Sequence, residues 1–155
     1  KNKKGQLNYA MVHLGMRKYR SFCTCFGVNK GQELIESFYN VLRKDLKRKE
    51  VMAHQENSEF GLLLTFTDKF DLEARIRRIE NNLSAVVPGM KMYFGVGVYI
   101  VNAGEHDVEQ LYNNAMIACE MLSEENEDKI AYFDVEMNNE NSEINKNFLS
   151  KMIFS

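Results

Sequence analysis

The chain has 155 residues and a formal net charge of −2, so it has the length of one domain and no global positive field to attract nucleic acid or anionic lipid. Its longest apolar runs, Gly61–Phe66 and Tyr93–Val101, are too short to cross a bilayer. We therefore expect a cytoplasmic domain that itself contacts neither nucleic acid nor membrane, with any membrane anchor of the full-length protein lying elsewhere. Because the sequence begins with Lys1 rather than Met, we also expect it to be part of a longer protein.

Three cysteines are present, and two of them form the pair Cys23-Thr24-Cys25. A zinc site needs about four Cys or His ligands, and no second cluster accompanies this pair in the sequence. Buried, reduced thiols are the better interpretation. The sequence therefore predicts no metal and no cofactor.

The hydrophobic pattern of the first half predicts strand, helix and hairpin in that order. Leu7–Leu14 is mostly apolar and favours a buried strand, whereas the apolar residues of Gln32–Leu46 recur at helical spacing. Glu50–His54 and Phe60–Phe66 favour two further strands. The polar stretch Glu56–Glu59 between them predicts the tip of a hairpin.

The second half continues the alternation. Asp68–Val86 has helical spacing and should end before Pro88, which disfavours helix in the residue preceding it. Its charged residues are expected to be largely solvated: Arg75, Arg77, Arg78 and Glu80. Met90–Val101 predicts a strand, Asp107–Leu122 a helix and Ile130–Phe133 a short last strand. The first six elements of this β-α-β-β-α-β-α-β order form the split βαβ pattern of ferredoxin-like palms.

The C-terminal residues have a different composition. Asn138–Asn147 is rich in Asn and Glu, which is typical of a linker. An apolar stripe at helical spacing follows: Ile144, Phe148, Leu149, Met152 and Ile153. Either this stripe folds back on the domain, or, as we favour, it continues as a helix into a second domain. We accordingly divide the chain into a domain at 1–134 and a linker with the start of a helix at 135–155.

The element order and the hairpin tip resemble the GGDEF family of diguanylate cyclases over roughly Leu7 to Asp134. The family signature falls on Glu56-Asn57-Ser58-Glu59-Phe60, where its final Glu-Phe is retained. Other segments match in register, with their glycines, alanines and aromatic-Asp pair in place: Tyr19–Gln32 with Gly27 and Gly31, Gly95–Val98, Ala115–Ala118, and Phe133-Asp134. The resemblance implies an α/β (α+β) fold of the class III nucleotidyl-cyclase type, with a mixed, mostly antiparallel sheet of about five strands flanked by helices.

The resemblance also implies that the chemistry of the family is degenerate in this chain. Magnesium on the triphosphate needs carboxylate ligands, and the two family Asp positions are Gly15 and Ser58. The two signature glycines that approach phosphate are Glu56 and Asn57, which add bulk and a negative charge. Glu59 is the signature carboxylate that remains.

Substrate recognition is affected in the same way. The family's guanine-reading Asn and Asp correspond to Cys23 and Gln32, and a thiol cannot replace a paired amide. Its phosphate-holding Lys and Arg correspond to Ser123 and Glu127. Each such loss typically costs orders of magnitude in rate, so the combination predicts a domain that is not an enzyme.

The family's inhibitory Arg-x-x-Asp site corresponds to Lys47-Arg48-Lys49-Glu50. Lys47 and Glu50 keep the charges, although Lys lacks the bidentate fork of Arg. A ligand-binding remnant and a solvated helix end with cations near the helix C-terminus are both open interpretations.

The resemblance favours a catalytically inactive, regulatory GGDEF module covalently linked to an EAL-type cyclic di-GMP phosphodiesterase, with a homodimer as a further arrangement. Two alternatives stay open. The domain could be a nucleotide sensor that binds GTP or cyclic di-GMP without turnover, or a weakly active diguanylate cyclase.

Overall fold

The computed structural model describes residues 7–122 and 130–134. Five strands form one sheet in the order β2-β3-β1-β4-β5. Their bounds are Asn8–Met16 (β1), Val51–His54 (β2), Glu59–Phe66 (β3), Phe94–Ile100 (β4) and Ile130–Tyr132 (β5). All neighbouring strands are antiparallel except the parallel pair β4–β5. The mixed, mostly antiparallel sheet predicted from the sequence is confirmed.

Four helices lie within the described residues: Tyr19–Phe26 (α1), Val28–Asp45 (α2), Lys69–Ser84 (α3) and Val108–Glu120 (α4). The prediction missed α1 as an element of its own and began the following helix at Gln32 instead of Val28. The two helices are separated at Gly27, whose φ of 95° suits glycine and interrupts the helical path. Helix α3 ends at Ser84, ahead of Pro88, as expected.

Helices cover both faces of the sheet. Residues of α2 and α3 pack on one face around a large cluster that includes Phe38, Phe60 and Phe94. On the other face, Leu111 and Ala115 of α4 pack against Met11 of β1. Helix α4 comes close to β4 because Gly97 has no side chain: an added Cβ would collide with the Ala115 carbonyl oxygen.

Two charged residues of α3 are buried, contrary to the prediction that they are solvated. Arg75 is 5% exposed and Glu80 is 7% exposed. Arg75 contacts the carboxylate of Asp45, the last residue of α2, and the carboxylate of Glu50 in the loop that follows. Glu80 forms a salt bridge with Arg77. Ion pairing makes this burial tolerable, and helical periodicity alone does not reveal it.

The hairpin between β2 and β3 is tight, as predicted. The Glu59 amide donates to the Glu56 carbonyl at 2.9 Å, and the Gln55 amide donates to the Glu59 carbonyl at 2.8 Å. Asn57 takes a φ of 50°, in the left-handed region that Asn tolerates better than most residues.

The helices within the described residues are all too short or too polar to span a membrane.

Candidate functional site

A cleft of about 780 Å³ opens where the hairpin tip faces the end of β1 and the helices α1 and α2. The structure brings to this cleft several residues singled out in the sequence: Cys23, Gln32, Asn57, Ser58 and Glu59. Phe60, the last signature residue, is fully buried in the core instead. Ser123 and Glu127 lie outside the described residues.

Gly15 and Glu59 are direct cross-strand partners in β1 and β3. An added Cβ on Gly15 would lie 3.3 Å from Cγ of Glu59, so the Glu59 side chain covers the glycine. Burial, followed by the negative charges of Glu56 and Glu120, raises the pKa of Glu59. The Glu59 carboxylate is therefore partly desolvated and lies near other negatively charged side chains.

Ser58 lies beside this pair and is turned into the protein. It is 3% exposed, and its hydroxyl donates to the carbonyl oxygen of Met16 at 3.0 Å. The bond ties the hairpin tip to the end of β1. It also commits the only hydrogen that the side chain can donate.

Cys23 packs where α1 meets α2. An added Cβ on Gly31 would collide with the Cys23 sulfur and lie 2.8 Å from Oη of Tyr19. Burial, together with a hydrogen bond to Cys23, raises the pKa of Tyr19 to about 12. The thiol is therefore part of the contact between the two helices, and the glycine retained at position 31 makes that contact possible.

A second cavity, of about 330 Å³, lies next to Gly15 and Glu59 and extends to the end of α4. It contains Arg17, which the sequence reasoning missed. The Arg17 guanidinium comes within 3.5 Å of the position that a Cβ on Gly95 would take. Burial raises the pKa of Cys119 in this cavity to about 11, although the charge of Arg17 opposes the shift. The signal available in the sequence was a basic residue directly following an apolar strand.

Two histidines form hydrogen bonds near the site. His54 contacts the Asn57 carbonyl oxygen through Nε2 at 2.7 Å and stabilises the hairpin tip. His13 is buried in β1, with its Nδ1 2.7 Å from the hydroxyl of Tyr112. Burial lowers the pKa of His13 to about 4, so this imidazole is neutral at physiological pH.

Lys47 and Glu50 lie away from the cleft. Lys47 is exposed, whereas the Glu50 carboxylate is completely buried in its pairing with Arg75. Arg75 and Thr65 both donate to Glu50, as does the backbone amide of Lys47 at 2.7 Å. The structure thus gives Glu50 a structural role, which the charge pattern did not predict. A surface ligand would meet Lys47 without this carboxylate.

Within the ranges 7–122 and 130–134, no group of three or more His, Cys, Asp or Glu side chains is placed to hold a metal ion.

The fold resembles that of several solved proteins. One is the diguanylate cyclase SiaD from Pseudomonas aeruginosa, solved with its activator SiaC, at 20% identity and a TM-score of 0.68 over 81% of this chain and 50% of that one. Another is the active GGEEF domain of a diguanylate cyclase from Vibrio cholerae, at 15% identity and a TM-score of 0.68 over 82% and 83%. A third is an EAL/GGDEF domain protein from M. capsulatus, at 16% identity and a TM-score of 0.63 over 86% and 90%. The chain spans half the length of the SiaD chain.

Sequence comparison identifies the family. No curated protein matches the sequence significantly. The profile of the family described as diguanylate cyclase, GGDEF domain, matches residues 1–129, which is most of the chain. Together with the five-stranded sheet and the hairpin signature at positions 56–60, this match shows that the chain belongs to the GGDEF domain family of cyclic di-GMP signalling.

Proposed function

We propose that this GGDEF domain does not synthesise cyclic di-GMP and instead regulates a neighbouring domain. The observation that carries the proposal is the arrangement at the ends of β1 and β3. Gly15 offers no side-chain ligand, and the hydroxyl of Ser58 is hydrogen-bonded to the Met16 carbonyl. Neither of the two positions where the family resemblance places a metal-binding Asp therefore supplies a carboxylate, and the neighbouring Glu59 is the signature carboxylate that remains.

The residues present do not fit the magnesium ions that diguanylate synthesis requires. Mg²⁺ demands near-octahedral oxygen coordination, usually with more than one protein or phosphate oxygen in place. Neither position where the family has a metal-binding Asp holds a carboxylate here, since they are Gly15 and Ser58, and the Glu59 carboxylate beside them is partly desolvated, which raises its pKa. Arg17 adds a fixed positive charge to the neighbouring cavity, which further opposes a divalent cation.

The positions that would recognise guanine are replaced as well. Cys23 lies in the cleft, but its sulfur packs against Tyr19 and the Gly31 backbone. A thiol is a weak donor and a weak acceptor, so it cannot form the paired hydrogen bonds that an amide offers to a base edge. Gln32 lacks the carboxylate that would accept two guanine N–H groups.

Restoring the metal corner alone tests this division of roles. The double variant Gly15→Asp, Ser58→Asp should still yield no cyclic di-GMP from GTP, because guanine and phosphate recognition would still be missing. The comparison is a variant that also carries Cys23→Asn and Gln32→Asp. Synthesis by the double variant would show that the metal corner is the only defect, and the argument about Cys23 would be wrong.

A nucleotide sensor is the second candidate function, and the cleft of about 780 Å³ favours it, because the space persists although the family side chains are replaced. Calorimetric titration with GTP and with cyclic di-GMP tests it. Binding in the cleft should be weakened by Arg20→Glu, since Arg20 lines it, whereas binding at the inhibitory-site register should respond to Lys47→Glu. No heat with either nucleotide would exclude the sensor and leave regulation by packing.

The regulated partner we propose is a covalently linked EAL-type phosphodiesterase, reached through the residues that follow position 134. The EAL/GGDEF domain protein from M. capsulatus, whose fold this chain resembles, supports such a pairing. The predicted linker and the stripe from Ile144 to Ile153 lie outside the described residues. A Glu-Ala-Leu motif in the gene soon after Ser155 would identify the partner.

Hydrolysis of cyclic di-GMP by the full-length protein tests the coupling. Phe148→Ser, Met152→Ser and deletion of the domain should each change the rate, and Lys151→Ser, on the same segment but polar already, should not. Unchanged rates in all the apolar variants and in the deletion would mean that the module is a passive spacer.

A further inference from the structure

Among residues 7–122 and 130–134, no helix covers the β2–β3 half of the sheet on the side where α4 packs. Helix α4 packs on β1, β4 and β5. Beside it, a shallow groove of about 100 Å³ runs over β3 and β2, lined mainly by apolar side chains. Two of these are strongly exposed for valines, Val51 at 58% and Val108 at 60%. A solvated sheet face normally carries polar residues, so this groove has the character of a covered surface.

The groove is part of an apolar row that crosses the whole sheet. In the strand register, Val51 pairs with Leu63, Leu63 with Met11, and Met11 with Tyr99. The ring of Phe133, just after β5, stacks edge-on against Tyr99 with centroids 5.5 Å apart. The chain therefore leaves the sheet beside Tyr99, at one end of this row. The other end of the row, at Val51, is exposed.

We propose that the apolar stripe Ile144, Phe148, Leu149, Met152 and Ile153 docks in this groove between α4 and the strands β2 and β3. This is the fold-back alternative, which the apolar groove favours over the continuing helix expected from the sequence, and it does not rest on the proposed function. From β5 to β2 the sheet has four strand spacings, roughly 19 Å in all. The stretch 135–144 can span up to about 33 Å when extended, so the stripe reaches the groove.

Charge complementarity supports the same occupant. The exposed residues Lys47, Arg48 and Lys49 precede β2, whose first residue, Val51, lines the groove. The residues that connect β5 to the stripe carry three acidic side chains, Glu136, Glu140 and Glu143. A linker crossing the sheet toward β2 would bring these opposite charges together.

A second apolar groove of the domain fits the apolar stripe less well. It has a volume of about 400 Å³ and is lined by Phe22, Phe26 and Met90, among others. It lies beside the loop that precedes β4, at the end of the sheet opposite to the one where the chain leaves β5. Its charges, Lys30 and Glu33, already form an ion pair with each other at 3.5 Å.

Photo-crosslinking maps the position of the stripe directly. The full chain carries benzoylphenylalanine in place of Phe148, is irradiated, and the joined peptides are sequenced by mass spectrometry. Docking in the groove predicts crosslinks to 51–63 and to 108–112 within one chain, independent of protein concentration. Crosslinks to 22–34 or 86–90, crosslinks between chains, or none to the domain would each overturn the proposal.

Groove variants provide the second test. Val51→Glu and Val108→Glu change exposed positions in the groove. Each should lower the crosslink yield about fivefold, because the stripe would lose most of the free energy of burying one valine side chain. Phe70→Glu is the matched control, because Phe70 is 78% exposed on α3 and lies on the other face. Circular dichroism confirms that each variant folds. Equal yields in folded groove and control variants would refute docking at this surface.

Discussion

Replacing Arg75 by Met should destabilise the domain strongly, because it leaves a buried carboxylate without its partner. The guanidinium donates to both oxygens of Glu50, at 2.6 Å each, and through Nε to Asp45 at 3.0 Å. The side chains of Arg75 and Glu50 are 6% and 0% exposed. These bonds join α3 to the loop between α2 and β2.

The cost of losing Arg75 comes from the buried charge that it leaves on Glu50. Removing one partner of a buried ion pair typically costs about 3–5 kcal/mol, since the remaining charge is uncompensated. Burial alone would raise the pKa of Glu50, but the hydrogen bonds from Arg75, Thr65 and Lys47 outweigh it and lower the pKa from 4.5 to about 2. Together these donors therefore contribute about 3 kcal/mol of stability at neutral pH, of which the Arg75 bonds supply a part.

The contribution of Glu50 to folding stability depends on pH. A carboxyl whose pKa is lowered in the folded state stabilises it fully above pH 4.5, and the contribution is lost as the pH falls toward 2. Without Arg75, burial raises the pKa of Glu50, so the charge becomes a cost at neutral pH that protonation relieves. The stability difference between wild type and Arg75→Met should therefore shrink as the pH falls from 6 to 3, a range set by this shift.

Urea denaturation followed by circular dichroism measures these differences. The double variant Glu50→Gln, Arg75→Met is the matched control, because it removes the stranded charge and should recover a large part of the loss. Arg78→Met, at an exposed salt bridge to Asp45, should cost less than about 1 kcal/mol. A loss below about 1 kcal/mol for Arg75→Met at pH 7, unchanged at pH 3, would refute the reasoning.

Two further predictions follow from close packing and from burial. Gly97→Ala should lower the free energy of unfolding by about 3 kcal/mol or more in urea denaturation, because its Cβ would collide with the Ala115 carbonyl and lie 2.6 Å from the Cys119 amide nitrogen. Gly15→Ala should cost much less, because its Cβ meets the flexible Glu59 side chain at 3.3 Å. Equal losses of stability in the two variants would contradict this reasoning. His13 should titrate by NMR with a midpoint of about 4, so folding stability declines as the pH falls from 6.5 toward 4, and a midpoint near 6.5 would mean that the imidazole is solvated.

The sequence predicted most of the sheet because its strands and the helices α2, α3 and α4 contain buried residues at regular spacing. Helix α1 was missed because it is only eight residues long and none of its residues is fully buried, although Tyr19 and Phe22 pack against the core. The burial of Arg75 was missed because its partner Glu50 lies 25 positions away in the chain. Charged residues are normally assigned to the surface unless such a partner is known.

The candidate site was predictable through the family resemblance rather than through the hydrophobic pattern. Register alone placed Cys23, Gln32 and Ser58 near one another, and the structure brings them to one cleft. The direction of the Ser58 hydroxyl was not predictable, because it depends on how closely the hairpin tip approaches Met16. The position of Arg17 likewise depends on the neighbouring strand at Gly95.

Synthesis of cyclic di-GMP from GTP is the most direct test of the central claim that this domain has lost the chemistry of its family. The purified chain is incubated with GTP and either magnesium or manganese, alongside an active GGEEF domain, and the products are separated chromatographically. The account predicts no product above a control without protein. Cyclic di-GMP that forms with the wild-type chain and disappears with Glu59→Ala would contradict it.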